Sequence, residues 1–227
     1  MQKILFGIFA HPDDEVFGPV ATLLKEVSDG TELHLIVLTG GENGTNLDNL
    51  PNLGEVRIQE WRAAGEVIGT ASMHHLGYID GTLGNINHLE ITDKVTQLVK
   101  KTVADRSDIE IEFMSLDLNG YTGHIDHIVA GRSACLAFYR LRGQGLPMSR
   151  VRLACLSREE IPDVHTGFVY MEPGRTPDEI NETVDGREFT DKIHKIMQLH
   201  HSQRQDYEAV TTHRGDQLGV NHFIVKK

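Results

Sequence analysis

The sequence feature that most constrains the fold is an apolar run, Ile4 to Ala10, that stops abruptly at His11-Pro12-Asp13-Asp14-Glu15. A run of this length that is apolar throughout is typical of a strand buried on both faces of a parallel sheet. Pro12 disfavours the helical conformation for the residue before it, so we expect His11 to end the strand. Polar side chains in that position lie where open α/β sheets bind their ligands.

Strand and helix patterns alternate along most of the chain and predict a Rossmann-like α/β fold, with a mostly parallel sheet flanked by helices. The predicted strands are residues 4–10, 33–38, 73–78, 109–114 and 151–156. The predicted helices are residues 16–28, 54–69, 89–104, 127–142 and 189–201. Glu110 and Glu112 alternate with apolar residues, so we expect the fourth strand to be less buried than the first two. His200 shares the apolar stripe of the last helix and is predicted to be a core residue.

The chain of 227 residues has the length of one sizeable α/β domain, and we predict a single domain over residues 1–227. Residues 157–188 differ from the rest, because three of the seven prolines fall there among many acidic residues. We interpret this segment as an excursion from the core that contains a short strand, Phe168 to Met171. It would serve as a lid or as a contact between copies in a homo-oligomer.

Charge and cysteine content exclude several classes of protein. The net charge of −11 argues against a nucleic-acid partner and against a polybasic membrane anchor. Two cysteines, Cys135 and Cys155, do not make a disulfide framework. No apolar run is long enough to span a membrane, and no signal peptide precedes the first strand. We therefore expect a soluble cytoplasmic protein.

A second polar cluster, His124-Ile125-Asp126-His127, lies between a strand-end loop and a predicted helix, the same setting as the first. Two histidines three residues apart at the start of a helix can point to one side. A catalytic zinc typically has three protein ligands and one open position. His11, Asp14 and one of these two histidines would complete such a set. The alternatives are that the acids of the first cluster only cap a helix, and that the two histidines are unrelated turn residues.

Two further strand ends carry polar residues that belong on the same edge of the sheet. Thr39 to Gly44 is a glycine-rich turn, which either cradles a ligand or is an ordinary tight loop, and it lacks the spacing of a P-loop. Glu42 within it is a candidate carboxylate for supporting the site. Asp80-Gly81 follows the third strand and is either a site residue or a turn.

Together the two clusters resemble the signatures of the PIG-L/LmbE-like family of metal-dependent N-acetylglucosamine deacetylases. The family pattern Ala-His-Pro-Asp-Asp-Glu matches Ala10 to Glu15, and Gly-His-x-Asp-His matches Gly123 to His127. Weaker matches are Thr39 to Gly44, Leu76 to Gly81, Gly120 to Gly123 and His201 to Gln203.

The resemblance implies a role for each matched residue. The metal ligands would be His11, Asp14 and His127, and Asp13 would be the general base. His124 would stabilise the oxyanion or protonate the leaving amine, with Asp126 tuning it. The substrate-binding residues would be Asp80, Glu42 and His201.

The resemblance also implies a reaction and a cofactor. Zn²⁺ is the expected metal, with Fe²⁺ as the alternative. The substrate would be a small N-acetylated amino-sugar conjugate, hydrolysed by water that the metal activates and Asp13 deprotonates. Gly40 stands where the family often has arginine, which leaves the substrate open, and Ile125 stands where it often has proline.

Two other functions fit part of the pattern. One is a non-catalytic module that binds metal or sugar, and the other is an iron oxygenase with a two-histidine, one-carboxylate site. Asp13 and His124 favour an enzyme over a module, because neither is needed to hold a metal. The alternation of strands and helices favours a doubly wound sheet over an oxygenase fold.

Overall fold

The computed structural model describes residues 1–161 and 174–227. Its strands are Gln2–Phe9 (β1), Glu32–Thr39 (β2), Ser72–Tyr78 (β3), Ile109–Leu116 (β4), Met148–Cys155 (β5), Glu182–Asp185 (β6) and Val220–Lys226 (β7). Its α-helices are Asp14–Phe17 (α1), Val20–Ser28 (α2), Leu53–Ile68 (α3), His88–Val103 (α4), Ile125–Gly143 (α5), Thr190–Met197 (α6) and Arg204–Arg214 (α7). Within these described ranges, no helix combines the length and the apolar character that crossing a bilayer requires.

The strands form one sheet in the order β3-β2-β1-β4-β5-β7-β6. Strands β1 to β5 run parallel, whereas β7 is antiparallel to both β5 and β6. This arrangement confirms the predicted α/β fold with a mostly parallel sheet. The direction of strand progression reverses between β1 and β4, and the carboxyl ends at such a reversal border the crevice in which this class of sheet binds ligands.

Helices cover both faces of the sheet and create two hydrophobic cores. One core packs α4 and α5 against the sheet, with Phe113 and Phe138 meeting edge to face at 6.3 Å between ring centroids. The other packs α2, α3 and α6 against the opposite face and contains the buried Trp61. Burial of one large apolar side chain contributes roughly 1.5–3 kcal/mol, so the two cores hold the strand ends in fixed positions.

The expectation that the fourth strand is less buried than the first two is wrong. Glu112 is fully buried in β4 and pairs with Arg152, which is 1 % exposed. Lys3 and Arg150 lie 2.8 and 3.1 Å from the same carboxylate. Buried carboxylates occur in proteins when they are paired, so Glu112 marks an internal ion-pair network and not an exposed face.

The predicted helix over residues 16–28 is divided in two. The short helix α1 ends at Phe17, and α2 begins at Val20, because Pro19 has no N–H group with which to continue the first helix. The first strand also ends two residues before His11, at Phe9. The single turn of α1 brings the Asp14 carboxylate back onto the end of that strand.

The carboxyl-terminal part of the chain contains more regular structure than its polar sequence predicts. The helix predicted over 189–201 ends at Met197, and α7 and the full length of β7 were not predicted. Part of the predicted excursion joins the main sheet as its edge strand β6. The predicted strand from Phe168 to Met171 lies outside the described residues.

The predicted core position of His200 is confirmed. Its ring is fully buried, and neither ring nitrogen has a hydrogen-bond partner among the described residues. Burial, with a smaller contribution from the charge of Arg57, lowers the pKa of His200 to about 3. The unfolded chain protonates this histidine near its ordinary pKa of about 6.5, so the folded state loses stability as the pH falls from there towards 3.

We therefore expect His200→Leu to reduce the acid sensitivity of folding. Between pH 7 and pH 4 the wild type should lose about 3 kcal/mol more unfolding free energy than the variant. Urea denaturation of both proteins at the two pH values measures this difference. Equal losses in the two proteins would show that His200 is not the group responsible.

Candidate active site and metal centre

A cavity of about 590 Å³ opens at the carboxyl ends of β1 and β4. Its walls come from the segments that follow β1, β2, β3 and β4 and from the start of α7. The loop after β2 is held directly beside the first cluster, because Thr39 donates both its N–H and its hydroxyl to the Ala10 carbonyl. The two polar clusters and Asp80 therefore meet in one cavity.

Three side-chain atoms converge in this cavity in a compact triangle. His11 Nδ1 lies 3.0 Å from His127 Nε2, which lies 3.0 Å from Asp14 Oδ1. The third side, from His11 Nδ1 to Asp14 Oδ1, is 3.7 Å. Ligands about 2.0–2.2 Å from a common zinc ion would be separated by distances of this size.

The Asp14 carboxylate is oriented by the backbone. Its Oδ2 accepts hydrogen bonds from the N–H groups of Ala10 and His11, each at 2.9 Å. Burial favours the neutral acid, but the charge of His127 and the hydrogen bond to His11 outweigh it and hold the pKa of Asp14 well below its usual value. The residue is therefore an anion whose Oδ1 is directed at the two imidazoles.

His127 is oriented through its other nitrogen. Nδ1 lies 2.9 Å from the carbonyl oxygen of Gly120, to which only an N–H can donate, so Nε2 carries the lone pair in the neutral ring. Gly120 has a positive φ of 86°, and a Cβ there would lie 2.6 Å from the His124 carbonyl oxygen. The glycine is therefore required for the turn that presents this carbonyl.

Two carboxylates lie behind His11. Its Nε2 is 2.9 Å from Asp80 Oδ1 and 3.4 Å from Asp126 Oδ2. The Asp126 carboxylate is itself fixed by the N–H groups of Gly81 and Leu83, at 2.8 and 3.2 Å. Such carboxylates commonly orient a metal-binding histidine and increase its basicity. They leave Nδ1 of His11 directed into the triangle.

With both rings neutral, lone pairs from two imidazoles and one carboxylate would face each other at about hydrogen-bonding distance. Their mutual repulsion is relieved by a cation between them, and this donor set suits zinc or ferrous iron. Two other groupings also lie within 4.8 Å of one another: one replaces Asp14 with His124, and one joins His11 with Asp80 and Asp126. We favour the triangle of His11, Asp14 and His127 over these two groupings. In each of its residues the other side-chain nitrogen or oxygen already has a hydrogen-bond partner outside the triangle.

Asp13 lies beside the triangle but contributes none of its atoms. Its carboxylate is buried and pairs with Arg57 Nη2 at 2.9 Å. Burial raises the pKa of Asp13 to about 7, with the charge of Arg57 opposing the rise and that of Asp14 adding to it. A carboxylate with this pKa can accept and return a proton near neutral pH.

His124 caps the amino terminus of α5. Its Nδ1 accepts the N–H of Asp126 at 3.1 Å, so the neutral ring carries its hydrogen on Nε2. Burial and the neighbouring His127 and His11 lower its pKa, which keeps the ring neutral at pH 7. The geometry therefore provides an N–H donor next to the triangle. The Asp126 carboxylate contacts His11 and its charge opposes the lowering of the His124 pKa, while the Asp126 N–H donates to the His124 ring.

Two of the expected substrate-binding residues lie away from the cavity. Glu42 Oε1 accepts the N–H of Asp80 at 3.3 Å, so Glu42 supports Asp80 from behind. His201 is exposed and is not among the residues that line the cavity. Its neighbour Gln203 does line the cavity and donates to the Thr45 carbonyl at 2.9 Å.

Sequence reasoning missed Arg57, Gln203 and Asp206, which line the same cavity. Arg57 is 4 % exposed although it belongs to a predicted amphipathic helix, where an arginine is normally a surface residue. Asp206 belongs to α7, which was not predicted. The motif residue Gln203 was the one available signal that this segment returns to the site.

The sequence profile of the PIG-L family, described as GlcNAc-PI de-N-acetylase, matches residues 6–138. A mycothiol S-conjugate amidase from Streptomyces coelicolor is 31 % identical over 60 % of this chain and 52 % of its own, so the matched region is about half of that relative. A 1D-myo-inositol 2-acetamido-2-deoxy-alpha-D-glucopyranoside deacetylase from Geodermatophilus obscurus is 29 % identical over 89 % of this chain and 83 % of its own.

Solved structures share the fold at lower identity. The N,N'-diacetylchitobiose deacetylase from Pyrococcus horikoshii superposes with a TM-score of 0.67, at 20 % identity, over 99 % of this chain and 83 % of its own. A 4-carboxy-2-hydroxymuconate hydratase from Pseudomonas putida gives 0.68 at 16 % identity, over 100 % and 97 % of the two chains. These likenesses establish the fold alone. The profile match covers more than half of the chain and both polar clusters, and the chain therefore belongs to the PIG-L family.

Proposed function

We propose that this protein is a metal-dependent N-deacetylase of small N-acetylated amino-sugar conjugates. The observation that carries the proposal is the triangle of His11 Nδ1, Asp14 Oδ1 and His127 Nε2 with the Asp13 carboxylate beside it. A binding module needs only the triangle. The additional buried carboxylate has no role in holding a cation, but it is the group that hydrolysis requires.

The proposed cation site consists of His11 Nδ1, Asp14 Oδ1 and His127 Nε2, with Zn²⁺ as the expected ion and Fe²⁺ as the alternative. A divalent cation in such a site supplies two effects, a lowered water pKa and a polarised carbonyl oxygen. Asp80 and Asp126 hold the His11 ring in place through its Nε2. The backbone amides of Ala10 and His11 do the same for Asp14.

In the proposed reaction Asp13 transfers the proton and His124 stabilises the negative charge. Asp13 takes a proton from the attacking water, and the Nε2–H of His124 donates to the amide oxygen as negative charge develops there. The C–N bond then breaks, and the proton held by Asp13 passes to the leaving nitrogen. Acetate and a free amine are the products. Because its Nδ1 accepts a backbone N–H, we assign oxyanion stabilisation to His124 and proton return to Asp13.

The substrate class is proposed from the Geodermatophilus obscurus relative, whose name specifies an inositol conjugate of 2-acetamido-2-deoxy-glucopyranoside. The cavity of about 590 Å³ has the volume of a small-molecule site, and both polar and apolar residues line it. Asp80 and His201 stay proposed substrate contacts from the family motif, although Asp80 is engaged with His11 and His201 is exposed. We propose Gln203 and Asp206 as the more direct contacts, because both line the cavity.

Acetate release from N-acetylglucosamine conjugates by purified protein tests the proposal. We expect release that disappears with a chelator and returns with Zn²⁺ or Fe²⁺. Metal bound without acetate release from any conjugate would favour the module. Turnover that requires oxygen and 2-oxoglutarate would instead favour the iron oxygenase.

The pH dependence of turnover should reveal Asp13. Its carboxylate accepts a proton only when ionised, so kcat/KM should fall as the pH drops below the pKa of Asp13, which burial raises to about 7. A cation at the neighbouring Asp14 lowers that pKa, so we expect the acid limb at or below pH 7. Steady-state kinetics between pH 5 and 9 on metal-loaded protein measures it. An acid limb above pH 8 would contradict the assignment.

We also propose that residues 1–227 form a single domain. The sheet supports this, because β6 and β7 from the end of the chain belong to the same sheet as β1 from its start. Association of copies through residues 157–188 stays a prediction, which size measurement in solution tests.

A further inference from the structure

We propose that Arg57 is a positioning residue that clamps the strained Asp13 in the orientation its role as base requires. This inference rests on the proposed function. It starts from the backbone, since Asp13 has φ 124° and ψ −20°. A non-glycine residue with such a φ is strained by about 1–3 kcal/mol and persists only where its surroundings hold it.

The Arg57 guanidinium contacts both the main chain before Asp13 and the Asp13 side chain. Nη2 donates to the Pro12 carbonyl at 3.1 Å and to Asp13 Oδ2 at 2.9 Å. Nη1 donates to the Gly41 carbonyl at 2.8 Å, which ties the clamp to the loop after β2. One planar group thus joins the main chain before Asp13, the Asp13 side chain and a second loop. The fork geometry of arginine permits this, whereas lysine offers a single point charge.

The glycine-rich loop is shaped around this guanidinium. A Cβ at Gly41 would lie 2.5 Å from Arg57 Cζ, and a Cβ at Gly44 would lie 2.3 Å from Arg57 Nη1. Gly41 also has a positive φ of 65°. Thr39 to Gly44 is therefore better interpreted as a loop shaped to hold a group than as an ordinary tight loop. The group that it holds is the Arg57 guanidinium of the same chain.

The clamp predicts a kinetic signature that differs from that of a substrate contact. A base displaced by about 1 Å loses roughly 100-fold in rate, while substrate binding is largely retained. We expect Arg57→Gln to lower kcat by about 100-fold, with KM changing less than about threefold and metal content unchanged. Methylguanidinium added to Arg57→Ala should restore part of the lost kcat.

Gly44→Ala tests the same contact without removing the charge. The added methyl displaces the end of a flexible side chain, so we expect a lower kcat with little change in Tm. Gly84→Ala is the matched control, because nothing lies within 4 Å of a Cβ at that position. Arg62→Gln, an exposed arginine on the same helix, is the control for Arg57→Gln. Both controls should keep the wild-type kcat.

A crystal structure of Arg57→Gln separates this inference from the proposed reaction. We expect the Asp13 carboxylate to leave its wild-type position while the three ligand side chains stay in place. An unmoved carboxylate, or a raised KM at wild-type kcat, would overturn the clamp. Wild-type protein that releases no acetate, combined with a displaced Asp13 in the variant, would retain the clamp and reject the deacetylase.

Discussion

Asp13→Asn is expected to lower kcat for acetate release by about 10²–10⁴-fold, because the amide cannot take the proton from water. The metal content should stay at the wild-type level, since Asp13 contributes no atom to the triangle. Asparagine is a conservative choice here because it tolerates positive φ better than most residues and keeps the hydrogen bond from Arg57. Single-turnover kinetics and elemental analysis of the same preparation measure the two quantities.

Asp14→Asn is the matched comparison, since it makes the same chemical change one residue away. The neutral amide weakens the cation site, so this variant should lose metal as well as activity. If both variants held metal equally, the division between base and ligand would be wrong. Wild-type kcat in Asp13→Asn would remove the proposed general base.

His127→Ala is expected to lose the metal and reduce acetate release to the level seen with a chelator. Two donors remain in the triangle, fewer than the three protein ligands typical of a catalytic zinc site. Mass spectrometry of protein purified without added metal should show about one ion per chain in the wild type and almost none in the variant.

His75→Ala controls for the general loss of a histidine. His75 is exposed on β3, which is an edge strand of the sheet, so its removal should leave the metal content unchanged. Full metal retention in His127→Ala would show that another grouping, such as the one that includes His124, holds the ion. No metal in wild-type protein, even after anaerobic reconstitution, would remove the basis for the hydrolase.

The fold and the centre of the site could be predicted from local sequence. The apolar run before His11 has the pattern of a buried parallel strand, and this strand is β1 in the structure. Parallel strands place their carboxyl ends on one edge of the sheet. Two polar clusters that each follow a strand are therefore neighbours whenever the two strands are adjacent. In the structure β1 and β4 are adjacent, and His11 meets His127 across 116 residues of chain.

The departures come from contacts that no local pattern encodes. Glu112 alternates like a surface residue, but its partner Arg152 lies on the adjacent strand and makes burial tolerable. Asp126 was expected to tune His124, its neighbour in sequence. Its charge acts on the pKa of His124, but its carboxylate contacts His11 and backbone amides of the loop after β3. In both cases the tertiary partner outweighs the local pattern, because buried charges need partners wherever the chain supplies them.

The sequence by itself determined the alternation of strands and helices, the polar clusters that follow β1 and β4, and the family, because each depends on residues within a few positions of one another. Only the tertiary structure decided which nitrogen of His11 faces the proposed cation site and which residue holds Asp13. Asp80 and Asp126 decide the orientation of the His11 ring, because both contact its Nε2. The residue that holds Asp13 is Arg57, which lies on a helix more than forty residues away in sequence. In the sequence Arg57 resembles any other charged residue of a helix, and only the fold buries it beside Asp13.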